Sequence, residues 1–423
     1  VAQEFGTTVE ALTPTLSRLW QWGKMTFVLL ASIFAANLLV MLTRRLELPG
    51  HSFLLFGPRG TGKTTWLRHV LPDALWFDLL RTQTLLSLSR QPESFRRQVE
   101  ARPPGSWVVV DEVQRLPSVL NEVHALIAEH GKTYHFALSG SSARKLKRLD
   151  VNLLAGRAIN RQFFPLTVAE LGYHCDLDRV LRLGLLPQIQ TETDYAIEAL
   201  EAYVGNYIRE EIQQEALVRN LESFARFLEV AALMNGQIVN VAGIARDAAV
   251  ARPTVQGYFA TLVDTLIGFW LPAWRKRAKV KEVASPKFYL FDPGVARALA
   301  GRLREPLDGM ERGFLLETWV LHELRAAMAF RNLGGQLHYW RTPSGSEVDF
   351  VWTRGNRAIG IEVKTAATWR GEYGTAIKTL IADGVLTGGH GVYTGSVELK
   401  DGPLHIWPLQ RFLKELTDGR VLD

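Results

Sequence analysis

The sequence predicts an α/β protein: a nucleotide-binding domain built on a phosphate loop, a helical middle region with a helix-turn-helix and wing, and a second α/β domain. Three observations predict it. An apolar strand, Phe53-Leu-Leu-Phe56, runs into Gly57-Pro-Arg-Gly-Thr-Gly62-Lys63-Thr64-Thr65 and then into a helical pattern. A second apolar strand, Trp107-Val-Val-Val110, ends in Asp111-Glu112. Near the C-terminus, two alternating stretches carry Glu347 with Asp349 and Glu362 with Lys364, each pair two residues apart and so on one sheet face.

At 423 residues the chain has room for two or three domains. With 47% hydrophobic and 22% charged residues, the composition is globular and excludes a low-complexity polymer. A net charge of +6 is a mild bias toward a polyanionic partner. The single cysteine, Cys175, excludes an internal disulfide, reads as a structural thiol and fits a reducing, cytoplasmic setting. The apolar run 26–42 reads as a signal-anchor helix, as a docking helix, or as residues preceding a natural start at Met41. The last two are preferred, so residues 1–42 are set apart as an N-terminal extension and no membrane association is expected.

The nucleotide domain is placed at 43–175. Gly57, Gly60 and Gly62 admit positive φ and leave backbone N–H groups open to a phosphate, with Pro58, Arg59, Thr61 and Thr65 completing the cradle. The helix that starts at Lys63 adds N–H donors and a positive dipole end. Lys63 would reach the β- and γ-phosphates, and the Thr64 hydroxyl would ligate Mg2+. Asp111 would hold the same metal, directly or through water, and Glu112 would polarise the attacking water. Tyr134-His-Phe-Ala-Leu-Ser139 reads as a further strand ending in hydroxyls; Ser139, or Ser141, would sense the γ-phosphate, or form a plain turn. Arg157 reads either as a phosphate-sensing or trans-acting finger or as solvated surface charge. ATP is preferred to GTP, because no guanine-reading N-K-x-D motif occurs.

The runs FGPRGTGKTT, VVVDEVQRLP, LSGSSARKL and LAGR resemble the predicted AAA-type ATPases of bacteria and archaea. The resemblance covers roughly 43–415. It implies an αβα nucleotide core, then a winged helix and a restriction-endonuclease-like domain of unknown function, and it suggests a homo-oligomeric ring.

In the middle region, 176–285, apolar residues recur at helical spacing over 194–233. Val241 to Ala249 reads as one short helix and Thr254 to Leu266 as a second, with Pro253 suited to a first turn. Ile267 to Trp274 reads as a strand pair, completing a helix-turn-helix with a wing. A DNA reader of this shape would use Arg252, Thr254, Gln256 and Tyr258 at the entering helix end, with Arg275, Lys276, Arg277, Lys279 and Lys281 on phosphates. The same shape also serves as a packing or oligomer module.

In the C-terminal region, 286–423, Lys287 to Asp292 reads as a strand ending in an acid. Glu317 falls among Gly313, Phe314, Val320 and Leu321 of a helix, so its carboxylate is expected to be buried and to need a partner or metal. If 345–352 and 358–364 pair as a hairpin, Asp349, Glu362 and Lys364 converge. This D…(D/E)-x-K pattern resembles the restriction-endonuclease-like superfamily. The resemblance implies Mg2+ bound by Asp349 and Glu362, Glu317 as a further ligand, and Lys364 orienting or deprotonating water. The same residues suit a degenerate fold whose Glu–Lys and Asp–Lys pairs only hold the sheet. The expected protein is a Mg-dependent ATPase acting on nucleic acid, DNA favoured. The alternative is a nucleotide-controlled protein-binding switch with a non-cleaving C-terminal domain.

Overall fold

The computed structural model describes residues 42–142, 156–192, 194–208, 220–275 and 282–422. The basic residues Arg144, Lys145, Lys147 and Arg148, the wing residues Lys276, Arg277, Lys279 and Lys281, and nearly all of the apolar run 26–42 lie outside them. From Arg44 onward the chain packs as one compact unit. Among the described residues no helix is long and apolar enough to cross a membrane.

The first sheet has five parallel strands: β1 (Phe53–Phe56), β2 (Leu75–Asp78), β3 (Trp107–Asp111), β4 (His135–Gly140) and β5 (Ile159–Gln162), in the order β2-β3-β4-β1-β5. Strands β1, β3 and β4 are nearly continuous apolar runs because helices cover both faces of the sheet. Their alternation divides the core. Leu54, Val108, Val110, Phe136 and Leu138 face the helices α2 (Thr82–Arg90), α3 (Glu93–Glu100) and α4 (Val119–His130). Phe53, Leu55, Val109 and Ala137 face Trp66 and Leu67 of α1 (Lys63–Val70). Because every strand is parallel, the loop after β1 and the acids at the end of β3 emerge on one edge. There β4 separates β1 from β3, so the edge opens as a crevice.

The chain then builds α5 (Leu177–Leu183), α6 (Pro187–Thr191), α7 (Ala196–Ala202), a π-turn (Tyr203–Ile208), α8 (Leu221–Leu233), α9 (Val241–Asp247) and α10 (Arg252–Asp264). Asn220 and Asn240 cap α8 and α9 by accepting from Ser223 and Gly243 amides, and Pro253 sits in the first turn of α10. Residues 267–274 form one strand, not the expected pair: β6 (Gly268–Leu271) stops before Pro272, which has no N–H to add to a ladder. Its antiparallel partner is β7 (Lys287–Leu290). Tyr258, expected at a reading surface, is buried against Phe224 and Phe227.

The second large sheet has the order β12-β13-β11-β10-β9-β8. Strands β8 (Gln336–Arg341), β9 (Glu347–Arg354) and β10 (Arg357–Lys364) form an antiparallel meander; β11 (Gly388–Tyr393) and β13 (Leu404–Pro408) continue parallel to β10, and β12 (Leu399–Asp401) closes the edge. Helix α11 (Pro293–Leu299) precedes α12 (Gly309–Phe330), which packs on β10; α13 (Thr375–Ala382) and α14 (Leu409–Asp418) follow. One hydrophobic core runs from Val168 to Leu422, so the helical region and this sheet share their interior.

Candidate functional site

The loop after β1 is shaped by its glycines. Gly60 and Gly62 take φ of 75° and 91°, the left-handed region. A Cβ on Gly57 would lie 2.2 Å from the Phe163 carbonyl oxygen, so the chain leaving β5 lies directly against the loop. Lys63 is buried, and its Nζ donates to the Gly57 and Pro58 carbonyls at 2.7 and 3.0 Å. The Thr61 hydroxyl donates to the Pro58 carbonyl at 2.7 Å. Arg59 is half-buried and Thr65 is exposed.

Thr64 and Asp111 meet: Thr64 Oγ1 donates to Asp111 Oδ2 at 2.7 Å. The Ser139 hydroxyl donates to the other oxygen of Asp111. Burial pushes the Asp111 carboxyl above its usual range, and the Ser139 and Thr64 donors oppose that rise. Glu112 has φ 57°, which turns its carboxylate back toward Gln114 and Ser141. It accepts from Gln114 Nε2 and, at 3.2 Å, from Ser141 Oγ. Ser139 thus sits on Asp111 and Ser141 on Glu112.

Arg157 does not join this group. Parallel pairing of β5 with β1 sets Ile159 beside Phe53 and Gln162 beside Phe56. Arg157 therefore lies at the end of the sheet opposite the phosphate loop, exposed and against His124. The expectation that it senses phosphate on its own chain is corrected by that register.

Two contributors were not read from the sequence. Arg44, ahead of β1, donates to the Thr61 carbonyl at 2.6 Å, the Phe164 carbonyl at 2.7 Å and Glu170 at 3.0 Å. It ties the loop to the chain leaving β5. Tyr203 lies over the loop, its hydroxyl 3.0 Å from the Arg59 carbonyl. Neither residue stands in a motif; their contacts cross 17 to 144 positions.

A second constellation lines a cleft of about 640 Å³ between α12, β7, β9 and β10. Val363 N–H donates to Asp349 Oδ2 at 2.8 Å, and Lys364 Nζ contacts Glu362 and, at 3.8 Å, Asp349. Glu317 is half-buried on α12, accepts from the Tyr289 hydroxyl at 2.9 Å and lies 3.6 Å from Lys287. Lys287 also pairs with Glu347 at 2.6 Å, and Arg341 donates to Glu347 at 3.0 Å. Burial, with the Asp349 charge, pushes Glu317 up to about 7 and Glu362 well above the usual range. The expected Glu317, Asp349, Glu362 and Lys364 all converge. Lys287 and Tyr289 were missed as members, though their spacing of two on one strand was the available signal.

The donor chemistry suits a cation, although among the described residues the carboxylate oxygens of Glu317, Asp349 and Glu362 are not drawn together around one point. Glu362 Oε2 is buried and has no hydrogen-bond partner among the described residues, an arrangement that costs free energy unless a positive group completes it. Asp349, Glu362 and Glu317 offer the oxygen donors a hard divalent ion takes.

On the helical region, Arg252 and Gln256 are exposed at the start of α10, Thr254 is half-buried, and Arg275 is exposed after β6. Lys276 lies outside the described residues. Cys175 is half-buried and its thiol is pushed up to about 11 by burial, which leaves it a poor nucleophile.

Residues 50–172 match the family described as an AAA domain. Residues 175–305 and 312–412 match two domains of unknown function, DUF8612 and DUF4143. An uncharacterized protein of Mycobacterium tuberculosis is 28% identical over 323 residues, spanning 74% of this chain and 70% of its own length; one of Mycobacterium bovis matches equally. The Thermotoga maritima RuvB Holliday junction branch migration motor aligns with 52% of this chain and 82% of its own at 14% identity and a TM-score of 0.28. Protein VC1899 from Vibrio cholerae aligns with 87% of this chain and 96% of its own at 10% identity and a TM-score of 0.20. Those scores assign neither fold nor function. What the sequence match does show is a domain: the chain carries an AAA-type P-loop ATPase domain over residues 50–172.

Proposed function

We propose that this protein binds and hydrolyses ATP with Mg2+ at the 57–65 loop, and that its C-terminal cleft cleaves phosphodiesters of nucleic acid, DNA favoured. The observation that carries the first half is the Thr64–Asp111 hydrogen bond beside buried Lys63. Two oxygens that would share one metal stand together, next to the ammonium that would meet the phosphates. Mg2+ held there would offset the charge of the β- and γ-phosphates. Lys63, now turned onto its own loop carbonyls, would exchange them for phosphate oxygens. Glu112, steadied by Gln114 and Ser141, would orient water for in-line attack.

The second half rests on the restriction-endonuclease-like reading of β9, β10 and α12, supported by Asp349, Glu362, Glu317 and Lys364 on one cleft and by the orphaned Glu362 oxygen. A divalent ion there would polarise a phosphoryl oxygen and lower the pKa of water. Lys364 would orient that water, and Lys287 with Arg341 would hold the neighbouring carboxylate Glu347. The winged-helix reading of α9, α10, β6 and β7 supplies DNA contact through Arg252, Thr254, Gln256, Arg275 and Lys276. The test is incubation with single- and double-stranded DNA plus Mg2+ or Mn2+, beside Asp349→Ala. Metal-dependent cleavage that disappears in the variant is expected; cleavage that survives removes this cleft from the reaction. Absence of cleavage with nucleotide-dependent capture of a protein partner would favour the switch reading, in which the Lys364 and Lys287 pairs only hold the sheet.

A further inference from the structure

A second cleft, of about 420 Å³, opens where β5 of the ATPase sheet, β6, the end of α12 and the start of β8 come together. Arg325 of α12 lines it. One face of its guanidinium is packed on the Phe269 ring, 3.7 Å from the centroid, with Phe164 at 5.6 Å. Among the described residues no carboxylate or hydrogen-bond acceptor pairs with it, and burial alone lowers it to about 10. Arg161, on edge strand β5, lines the same cleft and also has no described partner. Arg325 is half-buried, and an unpaired cation drawn partly out of water still costs free energy. Here the aromatic face offsets part of that cost and leaves the planar N–H fork for something else.

The rest of the lining says what. Among the described residues no carboxylate lines this cleft. Asn160, Asn332 and Gln336 bring side-chain amides, and Trp270 brings an aromatic surface. Guanidinium forks match phosphate oxygens bidentately, amides read base edges, and an indole stacks on a base of any sequence. The geometry points to a binding site for a nucleotide unit of a single nucleic-acid strand, its phosphate on Arg325 and Arg161 and its base against Trp270. The choice of a polymer rests on the nucleic-acid reading above; the site itself does not use the metal cleft or the ATP loop.

The test is fluorescence anisotropy of labelled oligothymidylate with the full chain in EDTA and without ATP, so that neither cleavage nor hydrolysis enters. Arg325→Gln is expected to weaken binding about tenfold or more and to lower the slope of log affinity against log salt by about one. Arg161→Gln, which leaves the aromatic-backed Arg325 in place, is expected to weaken it severalfold, with the thermal midpoint and ATPase rate of both variants unchanged. Wild-type affinity in both variants would overturn the proposal. Equal affinity of wild-type protein for thymidine monophosphate and for the oligomer would overturn the strand and assign the cleft to a free nucleotide. If Asp349→Ala abolishes cleavage while these variants bind normally, only this inference fails. If they lose binding while no cleavage is ever seen, only the nuclease reading fails.

Discussion

Thr64 and Asp111 stand 47 positions apart in the chain and share a 2.7 Å hydrogen bond at the edge where β1 and β3 both end. One side chain comes from the first turn of a helix and the other from a strand terminus, so only the parallel order of the sheet could bring them together. In the proposed reaction this pair is where the nucleotide's metal is held. Asp111→Asn keeps the shape and removes the charge. The Mg2+ concentration for half-maximal ATPase activity is expected to rise about 10–100-fold. A Mg2+ titration of steady-state hydrolysis checks it, and an unshifted midpoint counts against the pair.

In the proposed reaction Glu112 acts on water and not on the nucleotide. Glu112→Gln should therefore lower kcat by roughly 10²–10⁴ while ATP affinity stays within about twofold. Single-turnover hydrolysis beside equilibrium binding separates the two effects. A variant that loses affinity as much as rate would make Glu112 part of the binding cradle.

How much of this was legible in sequence follows the range of each interaction. The loop glycines, Lys63, Thr64 and the Asp111-Glu112 pair are local patterns, and the structure sets Thr64 and Asp111 at one edge. Asp349, Glu362 and Lys364 were readable because strand alternation fixes which side chains share a face. The pairing of Arg44 with Glu170 was not, because a contact across 126 positions leaves no periodic trace; for Lys287, strand alternation sets its face but not its partner Glu317, 30 positions away. For the same reason sequence could not choose between the readings of Arg157: its position depends on β5 pairing with β1, which leaves it exposed and away from the loop of its own chain. Tyr258, expected at the entering helix end of a DNA reader, is on the buried face that Val255 and Leu262, three before and four after, already mark.

Burial makes stability depend on pH at Glu323. Its carboxylate accepts from the Val168 amide at 2.8 Å and from Trp319 Nε1 at 3.2 Å, yet burial pushes it up to about 8. The folded value lies above the ordinary 4.5. The folded state therefore holds the proton more tightly, and its advantage is lost as pH rises toward and through 8. Glu323→Gln keeps an acceptor for Val168 and cannot ionise. The thermal midpoint of the wild type minus that of the variant should fall progressively from pH 5 to pH 9. A difference independent of pH would mean that Glu323 is already ionised in the fold.

Gly184 has φ 75°, and a Cβ there would lie 1.9 Å from Asp292 Oδ1. Asp292 is buried and accepts from the Leu185 and Val295 amides at 2.6 and 3.0 Å, pinning the turn before α6 to the start of α11. Gly184→Ala is expected to cost about 1–3 kcal/mol in chemical denaturation. Gly309→Ala, at a position with open space around it, is the control and should be near neutral.

The central claim is that a triphosphate seats on the 57–65 loop with Lys63 against it. The most direct measurement is ATP affinity in the presence of Mg2+, by titration with a fluorescent ATP analogue, for the wild type and Lys63→Ala. The account predicts at least about tenfold weaker binding in the variant, the loss of one charge-assisted contact to phosphate. Equal affinity in the two proteins would contradict it.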